Sequence, residues 1–101
     1  MRRRRVIFAP EARNDLIDIY NWIKTPAGAT IAFNYTGRIE KFCLGFDVFA
    51  ERGHRRDDIR IGLRIAGFER RVTVAFIVDD DCVTILRLFC GGRNWEVELS
   101  D

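Results

Sequence analysis

No apolar run in this chain is long enough to span a bilayer. Arg2–Arg5 followed by Val6-Ile7-Phe8-Ala9 starts as a secretion signal starts, but the apolar part stops at Pro10-Glu11, so export is not expected and the chain reads as cytoplasmic. Cysteine is scarce. Cys43, Cys82 and Cys90 are odd in number and lack paired metal-ligand spacing, which points to buried apolar thiols in a reducing compartment rather than to a disulfide or metal site. No cofactor and no metal are expected. Histidine occurs once, at His54, in a charged and therefore solvated stretch. Internal repeats, linkers and low-complexity segments are all missing.

What is present is enough for one ordinary domain spanning residues 1–101, since 48% of the residues are hydrophobic and a core forms without metal or disulfides. The net charge of +2 conceals an uneven layout. Arg2–Arg5 adds four positive charges, either a basic arm or simply a solvated terminus. From Pro10 to Glu51 four basic residues face six acids, from Arg52 to Arg71 seven arginines face three acids, and from Val72 to Asp101 two arginines face six. The positive charge is almost all arginine, the side chain suited to bidentate contacts with carboxylates and phosphates. An acidic partner is implied, and charge alone leaves open whether it is protein or nucleic acid.

The chain is organised around the stretch from Leu63 to Arg93. Val72, Val74, Phe76 and Val78 recur at period two, with Thr73, Ala75 and Ile77 on the other face. After Asp79-Asp80-Asp81, Val83, Ile85, Arg87 and Phe89 alternate with Cys82, Thr84, Leu86, Leu88 and Cys90. This is the pattern of a β-hairpin with both faces largely covered. Arg5–Ala9 reads as a first strand, Gly62–Ala66 as a second, Gly67-Phe68-Glu69 as a tight turn, and Arg70–Val78 and Cys82–Cys90 as the third and fourth; Asn94–Leu99 is either a short strand or a frayed tail.

Two helices lie between. Pro10 suits a first helical position, Glu11, Asp15 and Asp18 favour the positive end, and Ala12, Leu16, Ile19 and Ile23 follow helical spacing to about Lys24. Ile17 and Trp22 lie off that stripe. Thr25-Pro26 reads as the start of a second helix, in which Ile31, Tyr35, Ile39, Phe42, Phe46 and Phe49 recur toward a stop at Gly53. Residues 53–60 read as an exposed loop. The order β-α-α-β-β-β implies an α+β fold, with an αα-hairpin on one face of an antiparallel sheet of about three strands.

In that order the residues resemble a known family. Ala9-Pro10-Glu11-Ala12, followed by Asp15-Leu16, Ile19 and Trp22-Ile23, is similar to the S-P-E-A-x-x-D-L-x-x-I-x-x-Y-I opening of ParE toxins in the RelE/ParE superfamily. Gly62-Leu63-Arg64 resembles that family's G-L-R, and Cys90-Gly91-Gly92-Arg93-Asn94 stands where it commonly has H-G-R-R-D. The likeness covers almost the whole chain and implies a single RelE/ParE-like toxin domain. Two departures stand out. Ala9 replaces a capping serine, at a cost of about 1 kcal/mol of helix stability. Cys90 replaces a histidine.

The resemblance implies the toxin of a bacterial type II toxin–antitoxin pair. Its ParE branch poisons DNA gyrase by binding and is held inactive by a ParD-like antitoxin with an acidic C-terminal segment, in a hetero-oligomer; direct contact with nucleic acid is not expected of it. Its RelE branch cuts mRNA on the ribosome, which takes a base, an acid and cations around the phosphate. For that chemistry this chain offers no tyrosine after Tyr35, only Lys24 and Lys41 as lysines, Glu96 and Glu98 as bases, and Arg64, Arg87 and Arg93 as clamps; Trp95 stacks but carries no proton. A non-catalytic gyrase-binding toxin is therefore the expectation. The alternatives are a RelE-type ribonuclease and, given Cys90, a member that has lost toxicity. The candidate antitoxin- or target-binding residues are Ile17, Trp22, Arg60, Arg64, Arg87 and Arg93. Arg87 either points from the sheet at a partner or pairs with Glu69 or a turn aspartate.

Overall fold

The computed structural model describes residues 3–91 together with Glu96 and Leu99. Arg93, Trp95, Glu98 and most of the proposed segment 94–99 lie outside the described residues. Strand β1 (Arg5–Phe8) leads into helix α1 (Pro10–Ala27) and helix α2 (Ala29–Leu44), which closes with a 3₁₀ turn at Gly45–Asp47. Strands β2 (His54–Arg55), β3 (Leu63–Phe68), β4 (Val72–Val78) and β5 (Cys82–Cys90) follow. They form one five-stranded sheet in the order β1-β5-β4-β3-β2. The α+β reading holds, with two amendments. β1 runs parallel to β5 rather than antiparallel, and His54–Arg55, read as loop, pairs with Ile65 and Arg64 as an edge strand.

The helix boundary also moves. Pro26 does not open α2 but sits in the last turn of α1, where a missing N–H forfeits a single helical bond. The break comes at Gly28, at φ +98°, whose N–H closes α1 onto the Lys24 carbonyl. At the other end Ala9 makes no side-chain cap, as its replacement of serine implies. Gly53 is not a helix stop: α2 has ended earlier, and at φ +74° Gly53 lies so close to β3 that a Cβ would collide with the Ile65 carbonyl.

The helical hairpin packs on one sheet face. Ala12 and Ile19 of α1 and Ile39 and Cys43 of α2 meet Val72, Val74, Phe76, Val83, Ile85 and Leu88. Phe46, just beyond α2, is fully buried 4.6 Å from Phe76 between ring centroids. Each such phenyl ring contributes about 2–3 kcal/mol by leaving water. The stripe expected on α2 is only half correct, because Ile31 and Phe49 are exposed while Ala32, Thr36 and Cys43 are buried in their place. The second sheet face is covered without helices from the N-terminal half: Ile59 and Leu99 pack with Leu63, Ile65, Ala75, Leu86 and Phe89.

A β-bulge decides which residues of β5 reach the main core. Ala75 pairs with Arg87 but Phe76 pairs with Ile85, so Leu86 is an extra residue and the alternation changes phase there. Val83, Ile85 and Leu88 face the helices, whereas Phe89 faces the opposite cluster. A strict period-two reading placed Phe89 with Val83 and Ile85, and the bulge overturns it. The β3–β4 turn also differs from expectation. Gly67 belongs to β3, and the connection is Glu69-Arg70-Arg71, in which Glu69 and Arg70 are both at positive φ (51° and 59°) and the Arg71 N–H closes the turn onto the Phe68 carbonyl at 3.0 Å.

A candidate binding site where helix α1 meets the end of strand β5

β1 stops at Phe8, opposite Ile85, because Pro10 starts a helix. β5 runs five residues further, and α1 supplies what the missing strand would have given. Asp15, on the buried stripe between Ala12 and Ile19, is 6% exposed. Its carboxylate accepts the Leu88 backbone N–H at 2.9 Å and the Arg87 guanidinium at 2.7 Å (Nε) and 3.1 Å (Nη2). Three donors satisfy a nearly buried charge, and its counter-charge is itself only a quarter exposed. Arg87 is thus tied to Asp15, not to Glu69 or a turn aspartate. Glu69 instead takes a bidentate contact from Arg38 of α2, which holds its carboxyl below the usual range.

Beyond the Asp15–Arg87 pair two clefts open side by side. One, of about 390 Å³, lies between Asp18, Ile19 and Trp22 of α1 and Leu88, Cys90 and Gly91. The other, of about 400 Å³, runs between the two helices and the sheet and is bordered by Ile31, Tyr35, Arg38 and Arg71. Trp22 and Cys90 line both. The Tyr35 hydroxyl is buried without a hydrogen-bond partner among the described residues; burial, then Cys90 and Glu69, raise its pKa. Burial likewise pushes up the Cys90 thiol, against opposing effects of the Gly91 N–H and Arg71. Cys90 is therefore a neutral thiol at pH 7 and cannot take a histidine's place as a proton acceptor.

The candidate residues divide between two regions. Trp22, 65% exposed, and Arg87 come together at this end of α1. Ile17 is exposed on α1 outside both clefts. Arg60 and Arg64 belong to the β2–β3 side. Arg60 is exposed in the turn before β3, and Arg64 donates to the Arg52 carbonyl at 3.0 Å and borders a polar cleft with Arg4, Arg55 and Asp79. Nearby, Arg56 grips Asp58 through two contacts of 2.9 Å and Glu96 at 2.6 Å, which lowers the Asp58 pKa and raises that of Arg56. His54 is exposed on β2. Sequence reasoning missed Asp15 as the organiser of the site, having read it only as a helix-start acid. Its signal was available, since a carboxylate on an apolar helical stripe requires a partner. Among the described residues no group of histidine, cysteine or carboxylate side chains could hold a metal ion, and no helix is long and apolar enough to cross a membrane.

The fold is shared with chains of two known toxin–antitoxin systems. It superposes on the chromosomal ParDE toxin–antitoxin system from P. aeruginosa with a TM-score of 0.76 and 22% identity, covering 87% of this chain and 96% of that one. It also superposes on the RelBE2 toxin–antitoxin complex from Mycobacterium tuberculosis with a TM-score of 0.64 and 19% identity, over 92% and 97% of the two chains. No curated protein sequence matches the chain. Residues 6–95 match the family described as the ParE toxin of the type II toxin–antitoxin system parDE, and the chain belongs to that family.

Proposed function

We propose that the chain acts by binding and blocking DNA gyrase in the cytoplasm, and that a ParD-like antitoxin with an acidic C-terminal segment neutralises it in a hetero-oligomer. The observation that carries a binding rather than a cutting role is the state of the groups ribonuclease chemistry needs. Arg87 is held by Asp15, Arg64 is hydrogen-bonded to the Arg52 carbonyl, and Glu96 is paired to Arg56. Two clamps and one base of a RelE-type mechanism are thus spent on internal contacts, and the Cys90 thiol is protonated at neutral pH. What the surface offers is recognition: apolar clefts beside Trp22, and exposed arginines such as Arg60 and Arg71 for carboxylates.

The test is expression of the chain in a bacterium, alone and with its antitoxin. Arrest with chromosome breakage and intact mRNA, relieved by the antitoxin, is expected. Arrest with cleaved mRNA and intact DNA would turn the reading to the ribonuclease alternative, and unimpaired growth would mean that toxicity has been lost.

A further inference from the structure

The connection between β2 and β3 is short and closely bonded. The Arg56 N–H donates to the Leu63 carbonyl at 2.8 Å and closes its base. Within it the Ile59 and Arg60 N–H groups donate to the Arg56 carbonyl at 3.1 and 3.2 Å, and the Leu63 N–H donates to the Arg60 carbonyl at 3.0 Å. The Asp57 carboxylate accepts the Gly62 N–H at 2.8 Å. Ile59 anchors the segment against the cluster of Leu63, Ile65, Ala75 and Phe89. Both acids of the segment are paired, Asp57 with Arg55 at 3.1 Å and Asp58 with Arg56 at 2.9 Å.

What this frame holds outward is Arg60-Ile61. Ile61 is 88% exposed, more than any other large apolar side chain among the described residues. Arg60 is exposed, and its guanidinium makes no ion pair among the described residues. Neither residue lines one of the clefts described above, so the pair projects from the surface. A scattered exposed isoleucine is ordinary. One fixed in place by a hydrogen-bonded frame, beside an uncompensated cation, is a preformed contact that loses little conformational freedom on binding.

The chemistry of the tip selects its partner. An aliphatic side chain gains by entering an apolar recess, and Arg60 gains from a carboxylate at the rim of that recess. Nucleic acid would satisfy Arg60 but offers Ile61 little, since bases stack on aromatic rings. An extended peptide seats in grooves and on strand edges, whereas a rigid projection fits a recess in a larger folded protein. The apolar clefts beside Trp22 lie at the other end of the sheet. The tip precedes Leu63, which is opposite Ile77, and those clefts adjoin Cys90, which is opposite Val72. The length of β4 from Val72 to Ile77, about 17 Å, separates the two.

We infer that Arg60 and Ile61 form the contact through which the chain docks into an apolar, acid-rimmed recess on gyrase. The inference rests on the gyrase reading above and gives it a place. Ile61 fills the recess, Arg60 pairs with a carboxylate at its rim and fixes the orientation, and the frame of Arg56, Asp57 and Ile59 holds both in position.

The test titrates gyrase supercoiling with the purified chain and with Ile61→Asp, Arg60→Glu and, as a control on the outer face of α2, Phe33→Ala. Antitoxin affinity and unfolding temperature are measured for each, and a photocrosslinking residue is placed at position 61 or at position 33. Each tip variant is expected to need about tenfold more protein for the same inhibition, with antitoxin affinity and unfolding temperature unchanged and Phe33→Ala like the unaltered chain. The crosslinker at 61, and not that at 33, should capture a gyrase subunit. Should Ile61→Asp unfold, Ile61→Ser carries the same expectation. Tip variants that inhibit as well as the unaltered chain would overturn this inference and leave the gyrase reading intact. Tip variants that lose antitoxin affinity as far as they lose inhibition would assign the tip to the antitoxin and overturn gyrase as its occupant. If the unaltered chain does not inhibit gyrase, both fall.

Discussion

The Asp15 carboxylate lies 2.7 Å from Arg87 Nε and 2.9 Å from the Leu88 backbone nitrogen, joining α1 to the stretch of β5 that β1 does not reach. Removing one member leaves the other uncompensated. Asp15→Leu is expected to cost about 3 kcal/mol, near the low end for a broken buried pair because Arg87 keeps some contact with water. Arg87→Leu should cost a similar amount, by leaving Asp15 charged and nearly buried. The Asp15→Leu/Arg87→Leu double variant should recover a large part of the loss. Urea unfolding of the four proteins measures the cycle, and additive losses would show that the two side chains act independently.

The Glu69-Arg70 turn holds two residues at positive φ without glycine. Arg70→Gly removes a left-handed strain of about 1–2 kcal/mol and adds a smaller entropic cost. A net gain of about 0.5–1 kcal/mol is expected in thermal unfolding. Glu69 is best left in place, because its contact with Arg38 ties the turn to α2.

Tyr35 carries a buried hydroxyl with no acceptor among the described residues. Its ring is held separately, edge-on to Phe68 with centroids 6.2 Å apart and under the Arg38 guanidinium. Tyr35→Phe keeps those ring contacts and removes an unsatisfied polar group, so a stability change between zero and about +1 kcal/mol is expected. Marked destabilisation would reveal that the hydroxyl is hydrogen-bonded in solution.

Stability should fall at both ends of the pH range, for opposite reasons. Asp79 accepts backbone N–H bonds from Cys82 and Asp81, and Asp58 is held by Arg56; both carboxyls lie below their usual range. A lowered folded-state pKa gives stability that is present above the unfolded value and is lost as pH falls through the folded one. Asp79→Asn keeps an acceptor oxygen and removes the titration, so it should flatten the acid limb of the urea midpoint. At the alkaline end burial pushes the Cys43 thiol up to about 12. The unfolded thiol ionises first, so its contribution is complete below the unfolded value and declines from there toward pH 12. Cys43→Ala should weaken that alkaline dependence while lowering stability at neutral pH.

The alternation of β4, the apolar face of α1 and the acidic turn were legible in the sequence because each obeys a local period. The misreadings arose where a tertiary contact decides. Leu86 looks like any strand residue, yet as the bulge it reverses the facing of everything after it. Pro26 looks like a helix start, but one lost bond at the end of α1 is inexpensive and Gly28 makes the sharper break. Arg64 and Arg87 were legible as cations near the sheet. That Asp15 and the Arg52 carbonyl would occupy them was not, because neither partner is near them in sequence.

The most direct measurement is a time course of gyrase supercoiling of plasmid DNA with the purified chain, run beside ribosomal translation of a defined mRNA. Inhibition of supercoiling that saturates near one chain per gyrase site and does not deepen with time, with the mRNA intact, is the result expected of a toxin that binds. Normal supercoiling with mRNA cleaved in proportion to time would contradict it, and would require Glu96 or the sheet arginines to leave their internal partners on the ribosome.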